Sequence, residues 1–199
     1  MRQRLIALAM FFCLFTVKAP GFEIKGKVTP LWDENSFTIE TRSEQTILFF
    51  NLLTQGRIAI KAAGSDGTIK NLLLEGSEPL TLIGMKEWKI TVLWDSLDCL
   101  WGCRLVSGEE PILKRVEGYA DTGYVFRFSL VTEEELEIWN FTAPKEATFI
   151  VRQSSPGARG YEEQDLADDP KIKLIGAGVF NIEVDPVDGG GEFVAERVK

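Results

Sequence analysis

No histidine occurs in the 199 residues. Imidazole is the side chain that takes and returns a proton near neutral pH. Its absence removes Ser-His-Asp and Cys-His catalysis, His-ligated zinc and the ordinary haem ligand together. Cysteine is scarce, with three residues, Cys13, Cys99 and Cys103. Positive charge is in deficit: 22 Lys and Arg stand against 30 Asp and Glu, a formal charge of −8 with a pI near 4.8. A nucleic acid or an anionic membrane needs clustered positive charge, so neither is the expected partner. Helical periodicity is also missing. Past the N-terminus no segment keeps an apolar stripe over three turns, and Glu162 to Asp169 is expected to make one turn at most.

Long apolar runs are confined to the start of the chain. Arg2 and Arg4 precede Leu5 to Val17, thirteen uncharged, almost wholly apolar residues. As a helix they would span roughly 20 Å, short of the ~30 Å hydrocarbon core of a bilayer. Small residues follow at Ala19 and Gly21, so the pattern is that of a secretory signal cut after Gly21. Cleavage after Ala19 and an uncleaved N-terminal anchor are the alternatives. Cys13 is a poor lipidation site because bulky Phe12 precedes it. Cleavage removes Arg2, Arg4 and Lys18, leaving 22 − 3 = 19 basic residues against 30 acidic ones, or −11. The expectation is a secreted or periplasmic protein with no membrane span in its mature part.

The whole chain is 45% apolar and 26% charged, ordinary for a folded protein. Its length suits one large domain or two of about 90 residues. An internal repeat favours two. Leu82-Ile83-Gly84 recurs as Leu174-Ile175-Gly176, an offset of 92, and the same offset carries Trp88, Ile90 and Val92 onto Phe180, Ile182 and Val184. It also carries Trp101 onto Phe193 and Ile24 and Gly26 onto Val116 and Gly118. Between these segments an offset of 89 places Phe37 on Phe126, Ile47 on Leu136 and Asn51 on Asn140. The units are then 22–106 and 114–199, joined by a linker at 107–113. Phe126-Arg127-Phe128-Ser129-Leu130 and Trp88-Lys89-Ile90-Thr91-Val92 alternate apolar with polar residues, the pattern of half-buried antiparallel strands. Turn formers punctuate at Gly64-Ser65-Asp66-Gly67 and Asp188-Gly189-Gly190-Gly191. The expected fold is all-β: two tandem antiparallel β-sandwiches, jelly-roll-like, after a signal peptide at 1–21.

The second unit resembles the bacterial pre-peptidase C-terminal domain. The resemblance rests on Val116-Glu117-Gly118, Tyr124-Val125-Phe126-Arg127-Phe128, Gly178-Val179-Phe180-Asn181-Ile182-Glu183-Val184 and Gly190-Gly191-Glu192-Phe193-Val194. The first unit departs from the pattern, with Glu87 where the second has Val179. The resemblance implies a jelly-roll-like sandwich that accompanies secreted enzymes without being their catalytic part; relatives in bacterial collagenases bind collagen. The matched residues are scaffold, so no binding residue follows from it.

Four groups of residues are candidate sites. Cys99 and Cys103 are the only cysteines past the signal, and an oxidising compartment favours pairing them. Four residues apart on an extended strand, their Cα atoms would be about 13 Å apart against the roughly 4.4–6.8 Å a disulfide needs. The bond therefore requires a turn between them, and free thiols are the alternative. Trp32 and Trp94 fall in expected loops and Trp139 lies out of the core phase of Leu136 and Ile138, whereas Trp88 and Trp101 fall in it. Flat aromatics on a sandwich face grip sugars and proteins; the competing account packs Trp139 between the two units. Glu133-Glu134-Glu135 and the run Glu162, Glu163, Asp165, Asp168, Asp169 read as solvated surface. The latter run, with Asp185, Asp188 and neighbouring carbonyls, is a candidate calcium site, and no other cofactor is expected. Asn140-Phe141-Thr142 matches a glycosylation sequon.

No residue set supports covalent or acid–base catalysis. The expected function is that of an exported, non-catalytic binding or structural accessory protein engaging a polymer, an envelope component or a partner protein. The alternatives are a small secreted hydrolase using two carboxylates, and an inhibitor or chaperone-like partner of an exported protease.

Overall fold

The structure is a computed structural model describing residues 21–143, 148–154 and 160–198. The expected export signal therefore lies outside the described residues except for Gly21. Among those residues there is no helix, and none is long and apolar enough to cross a membrane.

Sixteen strands follow one another. The first eight are β1 (Glu23–Val28), β2 (Glu34–Glu40), β3 (Gln45–Leu52), β4 (Arg57–Gly64), β5 (Ile69–Leu74), β6 (Ser77–Ile83), β7 (Glu87–Ser96) and β8 (Cys99–Ser107). The second eight are β9 (Ile112–Ala120), β10 (Phe126–Thr132), β11 (Leu136–Thr142), β12 (Phe149–Ser154), β13 (Glu162–Asp165), β14 (Lys171–Ile175), β15 (Gly178–Pro186) and β16 (Gly191–Arg197). They form two eight-stranded antiparallel sheets. One has the order β13-β12-β15-β10-β1-β8-β3-β6, the other β14-β11-β16-β9-β2-β7-β4-β5.

Adding eight to β1-β8-β3-β6 gives β9-β16-β11-β14, and adding eight to β2-β7-β4-β5 gives β10-β15-β12-β13. Both derived orders are present. Each half thus has the strand order of an eight-stranded jelly roll. The two halves follow one another as sandwiches joined edge to edge, so that among the described residues each sheet runs through both. The β1 strand pairs with β10 (Ile24 opposite Phe128), and β9 pairs with β2 (Val116 opposite Phe37). A free β1, β2, β9 or β10 edge would expose a row of backbone N–H and C=O groups, and the reciprocal pairing satisfies them. Of the expected 107–113 linker, Ser107 still belongs to β8 and Ile112 already to β9.

The ladders also correct the repeat alignment. Ile39 pairs with Trp88 and Leu130 with Phe180, so the counterpart of Phe37 is Phe128, an offset of 91 rather than 89. Phe50 opposite Cys103 and Phe141 opposite Ala195 give 91 again for β3 and β11. An even slip keeps each residue on its face, which is why the alternation looked right under the wrong offset.

Facing sides of the two sheets fill one continuous apolar core. In the first half Trp101 lies between Phe37 and Phe50, each with ring centroids 6.4 Å away. In the second, Phe193 takes the place of Trp101, edge-on to Phe126 at 5.1 Å and to Phe149 at 6.0 Å. Buried aromatics of this size contribute most of the hydrophobic stabilisation, with the ring geometry adding about 0.5–1.5 kcal/mol per pair. The 162–165 segment, expected as a helical turn, is strand β13. Arg152 of β12 holds Glu163 at 2.7 Å and Gln153 holds Glu162 at 3.0 Å, which ties it to the sheet.

Candidate binding cleft at the seam

Where β1 crosses to β2, residues 29–33 form a tight loop at the end of the sandwich. The Thr29 hydroxyl oxygen accepts the N–H groups of Leu31 and Trp32, both at 3.2 Å. Thr29 and Trp32 also exchange backbone bonds of 3.0 and 3.1 Å. This side-chain-anchored turn fixes Trp32 at the loop's end. Its ring lies flat on Tyr119 of β9, centroids 4.2 Å apart at 17°. One aromatic comes from each half, so the stack spans the seam. Beside it Lys27 reaches Asp121 at 3.1 Å, a second cross-seam contact. Asp121 is itself held in place: its carboxylate accepts the Gly123 N–H, and its backbone exchanges bonds with Tyr124.

Lys27, Leu31, Trp32, Asp98, Tyr119 and Asp121 wall a cleft of about 280 Å³. Leu31 stands 85% exposed at its rim. The arrangement offers an aromatic surface, an apolar edge and two carboxylates that can accept hydrogen bonds. A flat ring or sugar face with hydroxyls fits those features.

The other two tryptophans of that candidate group are elsewhere. Trp94 sits on β7, not in a loop; it is half-buried against the core and its Nε1 donates to the Leu97 carbonyl at 2.7 Å. That bond helps hold Leu97, which has a positive φ of 59°. Trp139 is fully inside, tilted against Phe128 at 5.8 Å. It belongs to the core of the second half and is neither a ligand platform nor a packing surface between units. The reason is a reversed phase on β11 and on its counterpart β3: Leu48, Phe50, Trp139 and Phe141 point inward, while Ile47, Phe49 and Ile138 are only half-buried.

Sequence reasoning missed the group around Trp139. Glu137, only 2% exposed, accepts the Trp139 Nε1 proton at 2.7 Å and pairs with Arg197 at 3.2 Å. The register equivalents in the first half are Thr46, Leu48 and Leu105. Glu137 and Arg197 line a small cleft of about 80 Å³ with Arg42, Glu133 and Glu134. There Arg42 grips Glu133 with two bonds of 2.7 and 3.1 Å and holds its carboxyl below the usual range. The sequence signal was Glu137 at the i−2 position of Trp139, unreadable while Trp139 was assigned to the outer face.

The expected disulfide is absent. Cys99 and Cys103 are buried free thiols on the same uninterrupted strand β8, opposite Val28 and Ile24. No turn folds the strand back between them. Burial pushes both thiols up, Cys103 well above its ordinary value. The acidic run does not converge either. Glu163 and Asp185 both pair with Arg152, Asp165 accepts the Ala167 N–H, and Asp169 accepts the Lys171 N–H. Among the described residues no three His, Cys, Asp or Glu side chains gather as metal ligands. The sequon threads through β11 with Phe141 buried.

No family model and no curated protein matches the chain. Among solved structures, the oxalate decarboxylase–formate complex of Lactobacillus farciminis is similar at 6% identity and a TM-score of 0.31, over 88% of this chain and 75% of that one. The oxalate decarboxylase of Bacillus subtilis is similar at 5% identity and a TM-score of 0.31, over 88% and 67%. At TM-scores this low the likeness assigns neither a fold family nor an activity.

Proposed function

We propose that the protein is an exported, non-catalytic binding or structural accessory module that takes a polymer or partner protein at the seam cleft. The observation that carries this reading is the Trp32–Tyr119 stack, contributed by both halves and flanked by Lys27, Asp98 and Asp121. A rigid aromatic wall beside fixed polar groups binds at low entropic cost. The pre-peptidase resemblance, which implies an accessory sandwich, supports the same reading.

Co-sedimentation with peptidoglycan, cellulose, chitin and collagen tests it. Depletion by one polymer, lost in Trp32→Ala while the variant still melts cooperatively, supports the proposal. No depletion, or binding indifferent to Trp32→Ala, sinks the assignment of the cleft.

The hydrolase reading has one observation in its favour, a buried Glu137 in a cleft with Glu133 and Glu134. A carboxylate pair needs one member free to give a proton and another free to attack or activate water. Here Trp139 and Arg197 take the Glu137 oxygens and Arg42 takes those of Glu133. Glycan hydrolysis abolished by Glu137→Gln would restore that reading.

A further inference from the structure

Two eight-stranded sheets leave four outer strands, β6 and β13 in one sheet and β5 and β14 in the other. An unpaired strand edge recruits another strand unless something blocks it. Three of the four are blocked. On β6, whose odd-numbered residues face outward past β3, Pro79 has no N–H and the Thr81 carbonyl accepts the Lys70 ammonium at 2.6 Å. On β14 the outward carbonyls of Lys171 and Lys173 accept the side-chain amides of Gln164 and Gln153, at 2.9 and 3.5 Å. Strand β13 is four residues long and acidic, and its Asp165 carbonyl is taken by the N–H groups of Asp168 and Asp169.

Strand β5 has no such device. Gly64 N–H donates to the Thr68 carbonyl at 2.8 Å, which sets the ladder: Lys70 and Leu72 bond to β4, so the N–H and C=O groups of Ile69, Asn71 and Leu73 point away from the sheet. Among the described residues none of those groups has a hydrogen-bond partner. The side chains of the same residues stand on the outer face, with Ile69 57% and Leu73 51% exposed. Leu73 continues inward across the sheet through Ala59 and Leu93.

We propose that β5 is a self-association edge, occupied by β5 of a second copy of this chain. Antiparallel pairing about a two-fold axis through Asn71 places Ile69 opposite Leu73 in both copies, Asn71 opposite Asn71 and Lys70 opposite Leu72. Every outward N–H on one copy then meets an outward carbonyl on the other, and no like charges face each other. The register is self-complementary and extends both second sheets into one. The assignment is independent of the ligand at the seam.

Sedimentation equilibrium of the purified chain over a wide concentration range tests this, with two variants. Leu73→Lys puts an ammonium group against the other copy's Ile69 at each end of the pairing, and Asn71→Pro removes an outward N–H without touching the β4 ladder. The expected result is a reversible dimer whose association weakens about ten-fold or more in each variant, with melting temperature unchanged at concentrations where the chain is monomeric and with Ile69, Asn71 and Leu73 amides protected from exchange only when dimeric. A chain monomeric throughout overturns the proposal. So does a dimer indifferent to both variants, which would be seated elsewhere. A monomer that instead takes an extended foreign peptide along β5 overturns it equally.

Discussion

Gly26 stands directly opposite Trp101 across the β1–β8 ladder, and a Cβ added there would lie 2.5 Å from the indole ring. Ninety-two residues on, Gly118 stands opposite Phe193, and its Cβ would lie 2.6 Å from the Phe126 ring. At both places the absence of a side chain makes room for an aromatic ring that fills the core. Gly26→Ala and Gly118→Ala are each expected to destabilise by about 1–3 kcal/mol, the usual cost of overpacking. Urea unfolding of both variants checks this; a gain from either, as for an ordinary strand glycine, would show that the ring has space to move.

Trp88→Ala and Trp139→Ala should each cost about 3–5 kcal/mol, as truncations of wholly buried aromatics do. Trp32→Ala should cost least, about 0.5–1.5 kcal/mol, because its ring is half-buried at the surface and loses only the stack on Tyr119. Trp94 lies between these extremes: it is half-buried and bonds Leu97, so its removal should cost more than Trp32 and less than Trp88. Thermal melts of the four variants give the ranking. Equal losses for Trp32 and Trp139 would undo the strand phasing described for β11.

Glu137→Gln keeps an acceptor for the Trp139 indole but leaves Arg197 without its counter-charge. Breaking a buried pair typically costs about 3–5 kcal/mol, and the partial exposure of Arg197 puts this case at the low end, about 3 kcal/mol. The double variant Glu137→Thr with Arg197→Leu, which copies the first half at those positions, should recover part of the loss. A double mutant no better than Glu137→Gln would mean that the charges are needed for packing.

Four carboxylates are held below their ordinary values in the folded state. Lys114 does this for Glu40, Arg42 for Glu133 and Lys86 for Asp66; at Glu117 desolvation works upward but is outweighed by Ser36 and Arg115. A lowered folded pKa contributes stability that is complete above the unfolded value and is lost as pH falls through the folded one. With ordinary values of 4.5 for Glu and 3.8 for Asp, the loss begins as pH drops through about 4.5. Melting temperature should therefore fall below that point, more gently in high salt because most of these pairs are exposed. A melting temperature that keeps rising below pH 4 would contradict it.

Cys99 and Cys103 should resist alkylation and Ellman's reagent in the native state and both react in denaturant. Buried thiols with raised pKa values present little thiolate. Finding a Cys99–Cys103 disulfide by mass spectrometry would require β8 to break between them.

How much was legible varies strand by strand. Trp88-Lys89-Ile90-Thr91-Val92 alternates cleanly, so its inward face could be read directly, and it proved to be Trp88, Ile90 and Val92. Ile47-Leu48-Phe49-Phe50 has no polar residue to break the tie. Its inward face was decided by what stands opposite, with Leu48 between Leu80 and Leu105. The same ambiguity at Ile138-Trp139 hid Glu137 and Arg197. Of the seam cleft only Trp32 was visible, because Tyr119 and Asp121 reach it from the other half.

Composition and alternation by themselves determined the all-β class and the exclusion of histidine chemistry. These follow from side-chain chemistry and a period of two, which are local properties of a chain. Only the tertiary structure decided that the two sheets run through both halves, that Trp139 is core, and that β5 is the outer strand left open. Those depend on which edge meets which. Backbone N–H and C=O groups are the same at every residue but proline, so the order of strands in a sheet is set mainly by long-range packing.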